Sequence, residues 1–380
     1  MLRFLPFTEL KQDEEAARRE EAARLARALG VSVRTAWLLI ARGVRDAAEA
    51  EAFLHPSAEM LCDPFAFEEM QKAVARLTRA IAQRERICIY GDYDVDGICA
   101  TSMLLMYLRG CGANVSYHIP SRHAEGYGMN LAAVERLAAE GVQLIVTVDN
   151  GVKANAELLR CRELGMDAIV TDHHLPGDVL PPCEAILCHT LAGCCYPNKN
   201  ICGAGMAFKL IEAHGGRAAA LPYVALAGLA TVADVVPLTG ENRVFAALAL
   251  TAVNAGESPL GLRALVEAAF EKKRVLTARD FAFAIAPRLN AAGRMDDASL
   301  GVALLTETDA ERAKTLAQRL NELNAARQQE EGAIYEAASA AIEADDLTDK
   351  RGIVLKHADW NPGVVGIAAS KLAERYYRPV

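Results

Sequence analysis

Residues 90–97 read Tyr90-Gly91-Asp92-Tyr93-Asp94-Val95-Asp96-Gly97, or YGDYDVDG: three carboxylates alternate over five positions and a glycine follows. A calcium-binding loop of the helix–loop–helix type begins this way, with ligands at positions 1, 3 and 5 and a turn glycine at 6. Counted from Asp92, however, position 9 is Ala100 and position 12, where a bidentate Glu belongs, is Met103. The flanks disagree as well. Arg86-Ile87-Cys88-Ile89-Tyr90 is short, apolar and partly β-branched, a buried strand. Ile98 to Leu108 has the length of a helix and small residues at its start. The stretch is therefore a strand–loop–helix unit with three carboxylates at the strand's C-terminal end.

Outward from this unit the same alternation continues. Ile87–Tyr90, Asn114–Ile119, Leu144–Val148 and Ala168–Thr171 read as strands, and Asn130–Glu140 and Ala154–Leu164 as helices between them. Such alternation predicts βαβ units, a parallel sheet and an α/β fold. Residues 1 to about 70 are helical in pattern, with Asp13–Leu29 a solvated amphipathic helix. Residues 203–345 carry almost no strand signal, and the polar stretch Glu311–Glu343 reads as one extended helix able to bridge two domains. Gly352–Leu355 reads as a strand, Gly363–Tyr377 as a helix, and another strand is expected to begin at Arg378-Pro379-Val380. There is no internal repeat and no low-complexity tract.

A chain of 380 residues predicts two or three domains. Apolar residues make up 52%, yet no window approaches the uncharged length of a membrane span. The start, MLRFLPFTELKQDEEAARRE, turns charged too soon for a signal peptide. Ten cysteines at irregular spacing, none in a CxxC, suit a reducing cytoplasm. The net charge of −8 excludes a globally basic nucleic-acid binder, so any such contact needs a local positive groove or a metal.

Acidic and histidine groups fall at equivalent places along the chain. Asp92, Asp94 and Asp96 follow the first strand, Asp149 follows LIVTV and precedes Asn150-Gly151, and Asp172-His173-His174 follows AIVT. A parallel sheet gathers all of them on one edge, where open α/β sheets bind ligands. Carboxylates converging there repel unless divalent cations neutralise them. Carboxylates with one or two imidazoles and no thiolate suit Mn²⁺ or Mg²⁺ better than zinc. The ligands suffice for two ions sharing a carboxylate, the apparatus of phosphoester hydrolysis.

GDYDVDG, HIPSRHAEGYG (118–128), VTVDNG (146–151), TDHH (171–174) and VADVVPL (232–238) match, in order, the motifs of the DHH phosphoesterase superfamily. The chain most resembles its RecJ branch, single-strand-specific 5′→3′ DNA exonucleases. APRLNAAGRMDDASLGVALL (286–305) is similar to that branch, and HADWNPGVVGIAASKLAERY (357–376) to the start of the DHH-associated domain. The resemblance covers roughly residues 50–380. The pattern gives an N-terminal helical segment (1–70) and a helical region with a long connecting helix (261–345), and the resemblance implies a DHH phosphoesterase domain with the metal site (71–260) and the start of an incomplete C-terminal α/β DHH-associated domain (346–380). The resemblance also implies ligation of Mn²⁺ or Mg²⁺ by aspartates of the first motif (Asp92, Asp94, Asp96), by Asp149 as bridge, by His173 and by Asp234. Which of the first three bind directly stays open. Asp94, Asp149, His173 and His174 would be catalytic, with His174 toward the scissile phosphate, and Arg122 and Arg294 would contact substrate phosphates. Single-stranded DNA is the implied substrate, and a single-strand-binding protein and a helicase are implied partners. The branch continues into a glycine- and serine-rich stretch and an OB-fold beyond the position of Val380.

Small-substrate members of the superfamily carry a histidine where Tyr90 stands, which favours the exonuclease branch. The runner-up functions are a phosphodiesterase for short oligonucleotides or cyclic dinucleotides and a non-catalytic scaffold; the full ligand set argues against the latter. Blander roles compete for single residues. Asp234 could cap the apolar helix before it, Arg294 could sit in a surface turn, and His118 and His123 read as structural. The cluster Cys183, Cys188, His189, Cys194, Cys195 and Cys202 fits no zinc spacing. It departs from the branch, which usually has Asn-Pro at Cys188-His189.

Overall fold

A computed structural model describes residues 12–44, 46–122, 125–126, 128–344, 347–348 and 350–380. Five strands form one parallel sheet: β1 (Arg86–Tyr90), β2 (Asn114–His118), β3 (Leu144–Val148), β4 (Asp167–Thr171) and β5 (Ala185–Leu187). Their spatial order is β2-β1-β3-β4-β5. Helices cover both sides, which is why the central strands β1 and β3 are almost wholly buried, whereas the edge strand β2 is only partly so. Along β1, Ile87 and Ile89 enter the large core, while Cys88 and Tyr90 enter a second one with Val134 and Leu158. The strand β5 is absent from the sequence expectation. Three residues are too few to show a period, and pairing with β4 makes them a strand.

The helix after the first motif begins earlier than its sequence pattern, at Val95 rather than Ile98. Asp94 caps it, its Oδ1 accepting from the amides of Asp96 (2.8 Å) and Gly97 (3.1 Å). Asp96 and Gly97 thereby join the first turn. A side chain at Gly97 would lie 2.6 Å from the Asp92 backbone, so this glycine permits close packing of the loop onto its own helix.

Residues 203–344 hold helices joined by short connections and no strand, as expected. The 35-residue helix Ala310–Ala344 sends Ala313, Ala317, Leu320 and Leu323 into the large core. Its far end, Ala338 and Ile342, forms a separate small cluster with Ile353 and Leu372. The helices Gln12–Leu29, Val33–Ile40 and Ala47–Leu54 close around Ala22, Leu25, Ala36, Leu39 and Ala50. The strand expected at Gly352–Leu355 does not form. The Ile353 amide donates to the Pro379 carbonyl (2.9 Å), but one bond is no ladder and Val354 is 92% exposed. Helix Val365–Tyr376 follows as expected. Among the described residues no helix is long and apolar enough to cross a membrane.

Candidate metal centre

In the order β2-β1-β3-β4-β5 the chain reverses direction between β1 and β3, and the ligand crevice of an open sheet lies at that point, beyond the carboxyl ends. The first motif leaves β1 there and Asp149 leaves β3. The Asp149 amide donates to the Thr171 carbonyl (3.0 Å), and its φ of 61° is a left-handed conformation that few residues other than glycine adopt. The Asn150 side chain donates to the carbonyls of Tyr90 (3.2 Å) and Val148 (2.9 Å), fastening the two strand ends together. From the side, helix Gly203–Gly215 points its N-terminus at Asp96. The Gly203 and Ala204 amides donate to its two carboxylate oxygens at 2.6 and 2.7 Å. Gly203 has no alternative, because a Cβ there would lie 2.7 Å from the Asp149 Cβ.

Three overlapping groups of ligand atoms result, each within 4.8 Å of one another: Asp92, Asp94 and Asp149; Asp96, His173 and Asp234; Asp149, His173 and His174. His173 Nε2 is 2.9 Å from Asp149 Oδ1 and 3.7 Å from Asp96 Oδ2, while its Nδ1 is 3.8 Å from Asp234 Oδ2. Burial, then the charge of Asp94, pushes Asp92 up to about 7. Burial, then Asp96 and Asp94, pushes Asp234 up to about 7 as well. Asp149 is driven well above the usual carboxylate range by burial and by Asp96, Asp94 and Asp92. The Asp92 Oδ1 atom is buried without a hydrogen-bond partner. Crowded carboxylates, one with an orphaned oxygen, fit a divalent cation, and oxygens with imidazole and no thiolate fit Mn²⁺ or Mg²⁺. Asp234 is the C-cap residue of Val224–Ala233. A helix C-terminus repels a carboxylate, so capping gives no reason for an acid there.

Asp172 is a participant to which the sequence reading gives no role. Buried behind the histidines, it accepts from the amides of Val152 (2.9 Å), His173 (2.7 Å) and His174 (3.1 Å), and lies 2.7 Å from His174 Nδ1. Burial works against its charge, but His174 holds it below the usual carboxylate range. In turn the bond to Asp172 raises His174. The signal was its place in TDHH itself, directly after a strand. Gly203 and Ala204 are two further participants; small residues opening an apolar helix mark a close approach.

Arg122 places its guanidinium 5.0 Å from the Tyr93 ring centroid. Arg294 is half-buried in helix Ala286–Met295, not in a surface turn, and donates to the Gly363 carbonyl (2.8 Å). That helix docks on the first motif: Asn290 Oδ1 accepts from the Val95 amide (3.1 Å), and a Cβ at Gly293 would meet the Tyr93 carbonyl at 2.6 Å. His118 is structural, between Glu125 and Arg136 at 3.1 Å each; His123 lies outside the described residues. The Tyr90 hydroxyl is engaged by Asn130 and the Gly128 carbonyl. Among the described residues no cysteine joins a metal-holding group. Cys188 instead contacts Thr190 (3.0 Å) and the His174 carbonyl (3.5 Å), bracing the loop that carries the histidines.

Residues 86–233 match the model of the DHH family, N-terminal domain. The single-stranded-DNA-specific exonuclease RecJ of Escherichia coli is 39% identical over 98% of this chain and 67% of its own length. The chain belongs to the RecJ family. RecJ of Bacillus subtilis is 41% identical, over 95% of this chain and 45% of its own length. The RecJ structure from Thermus thermophilus in complex with Mn²⁺ superposes with a TM-score of 0.80 at 34% identity, covering 96% of this chain and 52% of that one. The chain thus spans between 45% and 67% of these RecJ relatives.

Proposed function

We propose that this chain carries the hydrolytic machinery of a Mn²⁺- or Mg²⁺-dependent 5′→3′ exonuclease that shortens single-stranded DNA in repair and recombination. The observation that carries this reading is the trio of overlapping ligand groups at the β1/β3 reversal. Asp92, Asp94 and Asp149 would hold one ion and Asp96, His173 and Asp234 a second, with Asp149 shared. Bound there, the ions would lower the pKa of an attacking water and take charge from the phosphate and leaving group. Asp172 fixes Nδ1 of His174, leaving the other ring nitrogen to donate to a phosphate oxygen, and the same bond raises the pKa of the ring, which favours the protonated donor. Arg122, set against the Tyr93 ring, and Arg294 bind substrate phosphates. These groups belong to residues 71–260 and to the helical region that follows, 261–345, with 346–380 assigned to a DHH-associated domain. A reducing cytoplasm suits ten unpaired cysteines, and a single-strand-binding protein and a helicase are the expected partners.

The test is Mn²⁺-dependent digestion of end-labelled single strands beside duplex and dinucleotides, with a chelated control. Loss of label from the 5′ end of single strands is the expected result. Turnover of dinucleotides alone would overturn it in favour of a short-oligonucleotide phosphodiesterase, and no turnover at all in favour of a scaffold.

A further inference from the structure

Between helix Leu260–Ala269 and the helical run that carries Arg294 lies Phe270-Glu271-Lys272-Lys273-Arg274-Val275. Lys272, Lys273, Arg274 and Val275 are exposed, as is Arg279. The Arg274 guanidinium lies 5.3 Å from the Phe270 ring centroid, and that of Arg279 lies 5.8 Å from the Phe283 ring centroid. Arg274 also pairs with Asp280 at 3.2 Å, which joins the two arginine–aromatic pairs into one patch. Phe283 is 77% exposed, although Phe281 and Ile285 on either side are fully buried. The five residues Phe281–Ile285 form a π-helical turn. Wide turns of this kind are rare and recur at functional sites.

A single exposed ring is ordinary and needs no explanation. Two arginine–aromatic pairs beside two lysines, on a chain of net charge −8, are a local anomaly of sign and type. They supply what a single strand needs: cations for its phosphates and rings on which bases stack. An acidic peptide would be drawn by the same charges, but its apolar side chains seek a recess, and Phe283 stands proud of the surface. The position favours DNA as well. Ala278–Asp280, Phe281–Ile285 and Ala286–Met295 form one unbroken helical run. Phe283 and Arg294 are eleven residues apart on it (294 − 283), about 16 Å at ~1.5 Å per residue. At ~3.4 Å per stacked nucleotide that is about five nucleotides.

We propose that Phe270, Lys272, Lys273, Arg274, Arg279 and Phe283 form a second contact for single-stranded DNA, about five nucleotides from Arg294. This rests on the exonuclease reading and adds to it a dependence on substrate length. A 20-nucleotide strand reaches the patch and a dinucleotide does not.

The experiment compares Phe283→Ala, Phe283→Trp and the double variant Lys272→Ala/Lys273→Ala with the parent chain. It measures Mn²⁺-dependent kinetics on a dinucleotide and a 20-nucleotide strand, and fluorescence anisotropy of the labelled 20-mer in chelator. Phe283→Ala is expected to raise KM and Kd for the 20-mer about 5- to 150-fold, and Phe283→Trp to restore them. The lysine pair should flatten the logarithmic salt dependence of binding by about 1.4, or ~0.7 per phosphate contact. Dinucleotide kinetics should not move. Unchanged 20-mer binding in both variants overturns the proposal. So does an equal loss on the dinucleotide, and so does loss of an acidic peptide's binding with DNA binding intact. If the parent hydrolyses nothing, the exonuclease reading fails, while anisotropy in chelator still decides the patch.

Discussion

Gly203→Ala sets two physical expectations against each other. Gly203 opens helix Gly203–Gly215 with an ordinary negative φ, so helix propensity alone predicts that alanine stabilises by up to about 1 kcal/mol. Packing predicts the reverse. The new methyl would lie 2.7 Å from Asp149 Cβ and 3.0 Å from its Cα and Oδ1, whereas carbons rest at about 3.5–4.0 Å. About 1 Å must be found. Asp149 is pinned by the hydrogen bond its amide donates to the Thr171 carbonyl and by its contact with His173, and Gly203 by the hydrogen bond its amide donates to Asp96. Whichever yields, a proposed ligand moves. Overpacking costs about 1–3 kcal/mol, and a 1 Å displacement at reacting groups costs about a hundredfold in rate. The variant should therefore melt a few degrees lower, bind Mn²⁺ more weakly by titration calorimetry, and lose about a hundredfold in hydrolysis. A Gly203→Ala protein that is as stable as the parent, with unchanged Mn²⁺ affinity and rate, would falsify the claim that this helix start sets the position of Asp149.

Asp149→Ala should abolish Mn²⁺-dependent hydrolysis while raising the melting temperature in chelator, because it removes one of several mutually repelling buried charges; a few per cent of residual rate would exclude a bridging role. His173→Ala should weaken metal affinity, whereas His174→Ala and Asp172→Asn should lower turnover with metal binding nearly intact; equal metal loss in all three by calorimetry would refute that division. Asp92 and Asp234 are raised to about 7 in the folded protein against about 3.9 unfolded. The folded state then holds more protons, so stability in chelator should fall as pH rises from about 4 through about 7. Mn²⁺ should flatten that fall, and a chelated melting curve that rises across the same window would contradict the sign.

The sheet is legible in the sequence because its central strands are buried on both sides, so Ile87–Tyr90 and Leu144–Val148 show as mostly apolar runs between helices. The site is legible for a related reason: parallel strands all end on one edge, so Asp149 and the 172–174 cluster had to meet the first motif. What stays hidden depends on partners distant in the chain. β5 exists only through β4, and Gly203 is constrained by Asp149, a partner that no local pattern names. Gly352–Leu355 fails for the opposite reason, since its β-branched composition meets no neighbouring ladder in the described structure.

The bonds that shape the first motif also set a timetable. Asp96 waits for amides 107 residues later and Val95 for a side chain 195 residues later. A ribosome adding about 5–20 residues per second takes about 10–40 s to bridge the longer of these gaps. During that interval the three aspartates emerge with their strand but without the helices that aim them, and loop closure must precede any reward from the contacts. Ion capture in the geometry described here is therefore a late event of biosynthesis, and the nascent chain passes through a stage in which its sheet can form while its metal centre cannot.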